Sequence, residues 1–349
     1  MNIALTGGGT AGHIMPNIAL AEALGKYFER IVYLGSSESM EEAICKERNI
    51  PYYPTETRKF VRGKIWKNFL LPETLIRGTK QAKKVLAEKD VDIIFSKGGY
   101  VSMPAVLAAR SLSLPVVCHE SDRTLGLANR VTAHFAARVY TAFPGTCKKG
   151  IVMPTPIRSK IFHGERMHLF ESAKPVVLFM GGSLGAKAIN DALSSSLADL
   201  TAKYNVLHIG GRGTLPMKTT SYVSVPYADD IENYFATADV IVSRGGASTL
   251  GELTALGKKV LVIPLPKGTS RGDQVLNAAY YLKEGLVSVL PQESLTTDNL
   301  LGAIARTIKK RLPAPAYARD TAEILARELY DVALTSREEK ERKALISKK

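Results

Sequence analysis

The sequence predicts an α/β chain of two doubly wound domains, and three glycine-rich turns predict it. Each follows an apolar run and precedes a segment with helical spacing. Asn2 to Thr6 runs into Gly7-Gly8-Gly9-Thr10-Ala11-Gly12-His13 and then a helix with Ile14, Ile18, Ala21 and Leu24 on one face. Halfway along, Val176 to Met180 runs into Gly181-Gly182-Ser183-Leu184-Gly185 and a helix expected from Ala186 to Leu200. The third turn, Arg244-Gly245-Gly246-Ala247-Ser248-Thr249, follows a strand expected from Asp239 to Ser243. At such a corner the free N–H groups of the helix point outward with the positive end of the macrodipole behind them. Backbone without side chains can then close on a phosphate or a polar sugar. Two such units, each opening half the chain, predict two Rossmann-like domains facing each other across a cleft lined by these turns.

Composition fits this and excludes other classes. A chain of 349 residues with 45% apolar content is long and apolar enough for two globular domains, and is neither disordered nor collagen-like. Lys and Arg number 47 against 33 Asp and Glu, a formal charge of +14 that favours an anionic partner: a phosphate-bearing substrate, an acidic membrane surface or nucleic acid. Cys45, Cys118 and Cys147 show no CxxC or zinc-ligand spacing and read as buried free thiols. With no basic leader and no apolar run near the ~18 residues of a spanning helix, the chain is expected to stay in the cytoplasm.

After the first helix, Arg30 to Leu34 reads as a strand, Met40 to Arg48 as a helix and Ile50 to Thr55 as a strand broken by Pro51 and Pro54. The stretch from Arg58 to Leu71 fits neither period. It mixes cations with Trp66 and large apolar residues, and reads either as a loop packing Trp66 and Phe69 inward or as a lipid-facing patch of Lys64, Ile65, Trp66, Lys67, Phe69 and Leu70. An amphipathic helix from Pro72 follows, with Leu75, Thr79, Ala82 and Leu86 on one face. Val91 to Ser96 is a strand leading to a fourth glycine turn, Lys97-Gly98-Gly99-Tyr100. Asp90-Val91-Asp92 formally matches a metal-binding DxD but lies at a strand start, whereas ligands gather at strand C-terminal ends, so it reads as structural. Pro115 to His119 is a strand ending in His119-Glu120-Ser121-Asp122, three ionisable groups that mark a site. Helix is expected from Thr124 to His134, and short strands at Arg138 to Ala142 and Gly150 to Met153. The prolines of Pro154-Thr155-Pro156 put a boundary near Arg158, giving domains of 1–158 and 159–349. The second half repeats the alternation, and its last helix, from about Tyr317 to Leu334, precedes a charged, solvated tail.

Gly7-x-Gly9-x-x-Gly12 satisfies the dinucleotide fingerprint, but the second strand ends Tyr33-Leu34-Gly35-Ser36 without the acidic residue that would hold a ribose. The dehydrogenase reading loses ground. His13 falls in the first turn of a helix, where the dipole disfavours the imidazolium and keeps the ring neutral, as a general base requires. Glu252, one turn into a helix, reads either as a carboxylate for ribose hydroxyls or as part of a capping box with Ser248 or Thr249.

Taken together, these motifs resemble the MurG family of peptidoglycan N-acetylglucosaminyltransferases. The resemblance rests on the first turn with Pro16, Gly98-Gly99-Tyr100-Val101-Ser102, His119-Glu120, Pro156-Ile157-Arg158, Gly181 to Ala186, Ser243 to Thr249 with Glu252, and Arg271-Gly272-Asp273-Gln274 with Asn277. It implies a GT-B fold whose last helix crosses back to the first domain. It also implies an inverting transfer of N-acetylglucosamine from its UDP donor to an undecaprenyl diphosphate acceptor, lipid I, without a cofactor or a metal. His13 would be the base, with Asp122 the alternative, since Ser121-Asp122 replaces the family's usual Gln-Asn. Thr10, Ala11 and Gly12 would face donor or acceptor diphosphate, and Tyr100 and Asn129 would also bind substrate. Arg158, Ser183 and Arg244 would lie at the donor, Ser248 and Thr249 on its phosphates and Glu252 on its ribose. Asp273 and Gln274 would hold the sugar, and Ala228 and Ile231 would meet uracil. The implied partners are an anionic cytoplasmic membrane surface and cell-wall synthesis and division proteins, with no nucleic acid. Another GT-B enzyme, such as a glycolipid synthase or a 2-epimerase-like protein, and a non-catalytic membrane scaffold are the rival readings.

Overall fold

The computed structural model describes residues 1–59, 70–182, 185–268, 272–313 and 321–346. Lys64, Ile65, Trp66, Lys67 and Phe69 of the expected lipid-facing patch, and Ser183, lie outside the described residues. The chain divides into two units, Met1–Arg158 with Asp320–Lys349, and Ser159–Arg319.

In the first unit the elements run β1 (Asn2–Thr6), α1 (Ala11–Leu24), β2 (Arg30–Gly35), α2 (Met40–Glu47), β3 (Tyr52–Pro54), α3 (Leu71–Glu88), β4 (Ile93–Ser96), α4 (Met103–Ser111), β5 (Val116–Glu120), α5 (Leu127–Thr132), β6 (Arg138–Thr141) and β7 (Ile151–Val152). The strands form one parallel sheet in the order β3-β2-β1-β4-β5-β6-β7. Strand order reverses between β1 and β4, so the first and fourth glycine turns flank the point where open α/β sheets bind ligands. Side chains alternate across β1. Ile3 and Leu5 pack with Ile14 and Ile18 of α1, while Ala4 packs with Ala82 and Leu86 of α3 and Val106 of α4.

The second unit runs β8 (Val176–Met180), α6 (Lys187–Ser195), α7 (Leu197–Lys203), β9 (Asn205–Ile209), β10 (Met217–Lys218), β11 (Tyr222–Val225), α8 (Ile231–Thr237), β12 (Val240–Ser243), α9 (Ala247–Ala255), β13 (Val260–Val262), α10 (Asp273–Lys283), β14 (Ser288–Val289) and α11 (Thr297–Lys309). Its sheet order is β10-β11-β9-β8-β12-β13-β14, parallel except for the β10–β11 hairpin. The reversal here falls between β8 and β12, again where two glycine turns lie. Finally α12 (Thr321–Ile346) returns to the first unit, where Leu325, Ala326, Leu329 and Ala333 enter the core beside Ile14 and Ile18. Glu323 of this helix pairs with Lys26 at 2.7 Å and accepts from the Tyr27 hydroxyl at 2.9 Å.

Some sequence expectations need correction. The helix expected from Ala186 to Leu200 breaks at Ser196, which ends α6, starts α7 and donates its hydroxyl to Thr297 Oγ1 at 2.9 Å. Helix α5 is shorter than Thr124 to His134, because the Glu120 carboxylate takes the N–H groups of Asp122 and Gly126 and holds that stretch as a loop. The tail beyond Leu334 continues α12 as helix to Ile346, with an i,i+4 pair between Arg337 and Glu341 at 3.4 Å. Cys45 and Cys118 are buried free thiols, whereas Cys147 is only half-buried. Among the described residues no helix is long and apolar enough to cross a membrane.

Candidate active site

In the first unit the two glycine turns touch. Gly99 has φ +80°, and a Cβ there would stand 2.4 Å from the Gly8 carbonyl oxygen, so a side chain at this position would push the turns apart. The same Cβ position lies 3.3 Å from Cδ2 of His13, which places the imidazole against Gly99. Gly9 backs onto the Tyr100 ring, whose Cε1 lies 2.8 Å from where a Cβ would be. Gly9, Thr10 and Gly12 are exposed, His13 is half-buried and Ala11 opens α1. An open helix N-terminus with a histidine in its first turn therefore stands at the strand-order reversal. From below, the turn is held by Tyr33, whose hydroxyl donates to the Gly7 carbonyl, and by Asn17, whose amide donates to Thr6 O at 3.2 Å and to Tyr33 Oη at 3.1 Å.

The strand end His119-Glu120-Ser121-Asp122 is organised differently from its sequence reading. His119 and Glu120 are 0% and 2% exposed, and only Asp122 of the three ionisable groups stays half-buried. Glu120 accepts from the N–H of Asp122 at 3.1 Å, the N–H of Gly126 at 2.8 Å and the Asn129 amide at 3.0 Å. Asn129 also donates to the His119 carbonyl at 3.1 Å and is itself buried, so it braces the loop beneath Asp122. Lys97 is buried beside them, with Nζ 2.7 Å from His119 Nδ1 and 2.6 Å from Ser121 Oγ. Burial pushes its amine down to about 7 against the opposing pull of Glu120 and Asp122, and burial also drives His119 well below the ordinary histidine range. Arg158, half-buried, ends the first of the two segments that make up the unit. Asp90 and Asp92 lie at the far edge of the sheet, where Asp92 accepts the Asn2 N–H at 2.7 Å and the Asp90 carbonyl accepts the Asn2 side-chain amide at 3.0 Å.

In the second unit, Gly185 (φ +77°) closes against the Gly210 carbonyl just past the end of β9, and among the described residues a Cβ at Gly182 would meet nothing within 4 Å. The turn after β12 is clamped from α10. Gln274 Oε1 accepts the N–H of Gly245 at 3.2 Å and of Leu265 at 3.0 Å, while Asn277 donates to the Gly245 carbonyl at 3.2 Å. Arg244 donates to the Ile263 carbonyl at 3.1 Å. Gly246 is the N-cap of α9, so Ser248 and Thr249 sit inside its first turn and neither is the cap. Glu252 follows one turn later, half-buried. Asp273 opens α10, Ile231 opens α8, and Ala228 lies in the loop before it. His208 is held between Asn190 Oδ1 at 3.1 Å and the Tyr222 hydroxyl at 2.9 Å.

Comparison with known proteins agrees with this geometry. The glycosyltransferase family 28 N-terminal domain matches residues 3–141 and the C-terminal domain of that family matches 176–334. The chain is 39% identical to a UDP-N-acetylglucosamine–N-acetylmuramyl-(pentapeptide) pyrophosphoryl-undecaprenol N-acetylglucosamine transferase of Clostridium novyi, over 88% of this chain and 91% of the relative. It is 40% identical, with the same coverage, to the protein of that description in Geobacillus thermodenitrificans. The crystal structure of MurG from Acinetobacter baumannii superposes with a TM-score of 0.72 at 26% identity, covering 96% of this chain and 99% of that one. The chain belongs to the MurG family. This MurG-family chain is a glycosyltransferase with two Rossmann-like units of the GT-B class. A UDP-N-acetylglucosamine 2-epimerase of Neisseria meningitidis shares the fold, with a TM-score of 0.65 at 15% identity over 95% of this chain and all of that one.

Asn17 escaped the sequence reading, which named Lys97 and Asn277 within motifs but gave neither a role. Only Lys97 left a signal, as a cation between the apolar strand Ile93–Ser96 and a Gly-Gly pair.

Proposed function

We propose that the chain transfers N-acetylglucosamine from UDP-N-acetylglucosamine to the C4 hydroxyl of undecaprenyl-diphospho-N-acetylmuramyl-pentapeptide, making lipid II for peptidoglycan. The observation that carries this is near-full-length kinship at about 40% identity with transferases of that description, joined to glycine turns at the strand-order reversal of each sheet. In this reading His13 takes the proton of the C4 hydroxyl, whose oxygen attacks the anomeric carbon as the bond to UDP breaks. The configuration inverts, and no covalent intermediate forms. Its place in the first turn of α1 supports the role, since the helix dipole disfavours a charged imidazole there.

The first unit holds the acceptor, with Thr10, Ala11, Gly12 and Tyr100 along its turns and Asp122 at the loop beyond β5. Asn129 acts from beneath, by holding that loop. The second unit holds the donor: Ser248 and Thr249 meet its phosphates at the start of α9, Glu252 its ribose, and Asp273 its sugar. Gln274 acts through the Gly245 turn that its side-chain oxygen holds, while Ala228 and Ile231 lie at the uracil. Arg158, Ser183 and Arg244 offset the charge of the departing UDP. The membrane is met through Lys64 to Leu70 and the cations of α3, because the polyprenyl tail stays in the bilayer. Cell-wall synthesis and division proteins are its partners there.

Transfer of radiolabelled N-acetylglucosamine to a short-chain lipid I analogue tests this. The parent is expected to turn over and His13→Ala to lose roughly 10²-fold or more in kcat. Equal rates would move the base to Asp122. No transfer by the parent, despite tight donor binding, would discard the acceptor assignment in favour of the epimerase-like or scaffold readings.

A further inference from the structure

The Lys97 side chain is sealed inside the first unit, where the C-terminal edge of the sheet meets the second of its glycine turns. Its partners fix their own hydrogens. Nε2 of His119 lies 2.9 Å from the Met153 carbonyl, which only accepts, so Nε2 carries the proton and Nδ1 is a bare acceptor. Lys97 therefore donates to Nδ1, and its second donor goes to Ser121 Oγ, which also accepts from Thr155 Oγ1 at 3.0 Å. One amine thus ties two pieces of backbone: its own turn leading to Gly98-Gly99-Tyr100, and the stretch where β5 ends at His119-Glu120 and passes into the Ser121–Gly126 loop that presents Asp122. An amine at the surface keeps its water, whereas this one is sealed from it and only its contacts with His119 and Ser121 offset the loss.

We propose that Lys97 is a positioning residue for the acceptor half of the site, fixing the Gly98-Gly99-Tyr100 turn and the Asp122 loop in register through His119 and Ser121. It touches no substrate itself. The role rests on the first unit being the acceptor unit. Gly99 is in contact with both Gly8 and the His13 ring, so a shift of its turn is felt at the base as well. A misplacement of about 1 Å at an active site can lower turnover by about 10²-fold.

The test compares the full-length parent with Lys97→Met, Ser121→Ala and the double variant. Steady-state transfer to the lipid I analogue is measured alongside calorimetric binding of UDP-N-acetylglucosamine and thermal melting. Lys97→Met is expected to lose about tenfold or more in acceptor kcat/KM, with donor Kd within about twofold of the parent. Ser121→Ala, which keeps the Lys97–His119 contact, should lose severalfold. The double variant should be no worse than Lys97→Met alone, because the serine acts through the lysine. A folded Lys97→Met with parental kcat/KM, donor affinity falling in step with turnover, or losses that multiply in the double variant would each overturn the role. If Lys97→Met does not fold, an unimpaired Ser121→Ala overturns it alone. A parent without transfer would overturn the functional reading itself, and this role with it.

Discussion

At the residue scale, the first unit's site is built by side chains whose polarity points inward. Lys97 sets a clear expectation for pH. Its folded value of about 7 lies below the ordinary lysine value of 10.5, so between these limits the unfolded chain holds a proton that the folded chain has released. Stability from this group is therefore fully present above 10.5 and is lost as pH falls toward 7. Urea unfolding of the parent and Lys97→Met should show the parent gaining on the variant from pH 7.5 to 9.5; a difference independent of pH would mean the amine is not buried in solution. Gly99→Ala makes a second case. The new methyl would sit at a left-handed φ against the Gly8 carbonyl, so transfer should fall by at least tenfold with donor binding unchanged. The turn that carries His13 was legible because a glycine-rich run at a strand-to-helix corner has few uses. His119, Glu120 and Asn129 were visible as a cluster, but not their direction. Strand β5 is buried at every position, so the alternation that separates inward from outward side chains is erased.

Elements proved more legible than orientations. Apolar runs ending in glycine located the strands that carry the site, since a parallel strand covered on both faces must be continuously apolar. The breaks that were missed depend on distant partners: Ser196 on Thr297, and the 121–126 loop on the Glu120 carboxylate. The long α12 was cut short in the sequence reading because its distal half has little apolar surface to bury. Leu329 sits at its core contact, fully buried against the α1 face, and Leu329→Ala should cost about 2–5 kcal/mol in urea unfolding of the first unit. A loss under 1 kcal/mol would mean the helix is not docked there in solution.

For the whole molecule, charge makes the prediction. A formal +14, with Arg77, Lys80, Lys83 and Lys84 exposed on α3 and Ile76 exposed among them, should bind vesicles containing anionic lipid at low salt. Binding should fall sharply near 0.5 M NaCl, where the Debye length shrinks to roughly 4 Å. Co-sedimentation that is unchanged by salt, or equal on neutral vesicles, would assign the attachment to apolar contacts instead. The return of α12 bears on how the molecule is made. A ribosome releases β1 and α1 first, yet the residues that cover them, Leu325 and Leu329, emerge only after the whole of Ser159–Arg319. At about 5–20 residues per second, the apolar face of α1 stays uncovered for on the order of 15–60 s during synthesis. The half of the chain translated first is thus the last to finish folding, and a chain stalled before Thr321 should carry an open flank that a chaperone can hold.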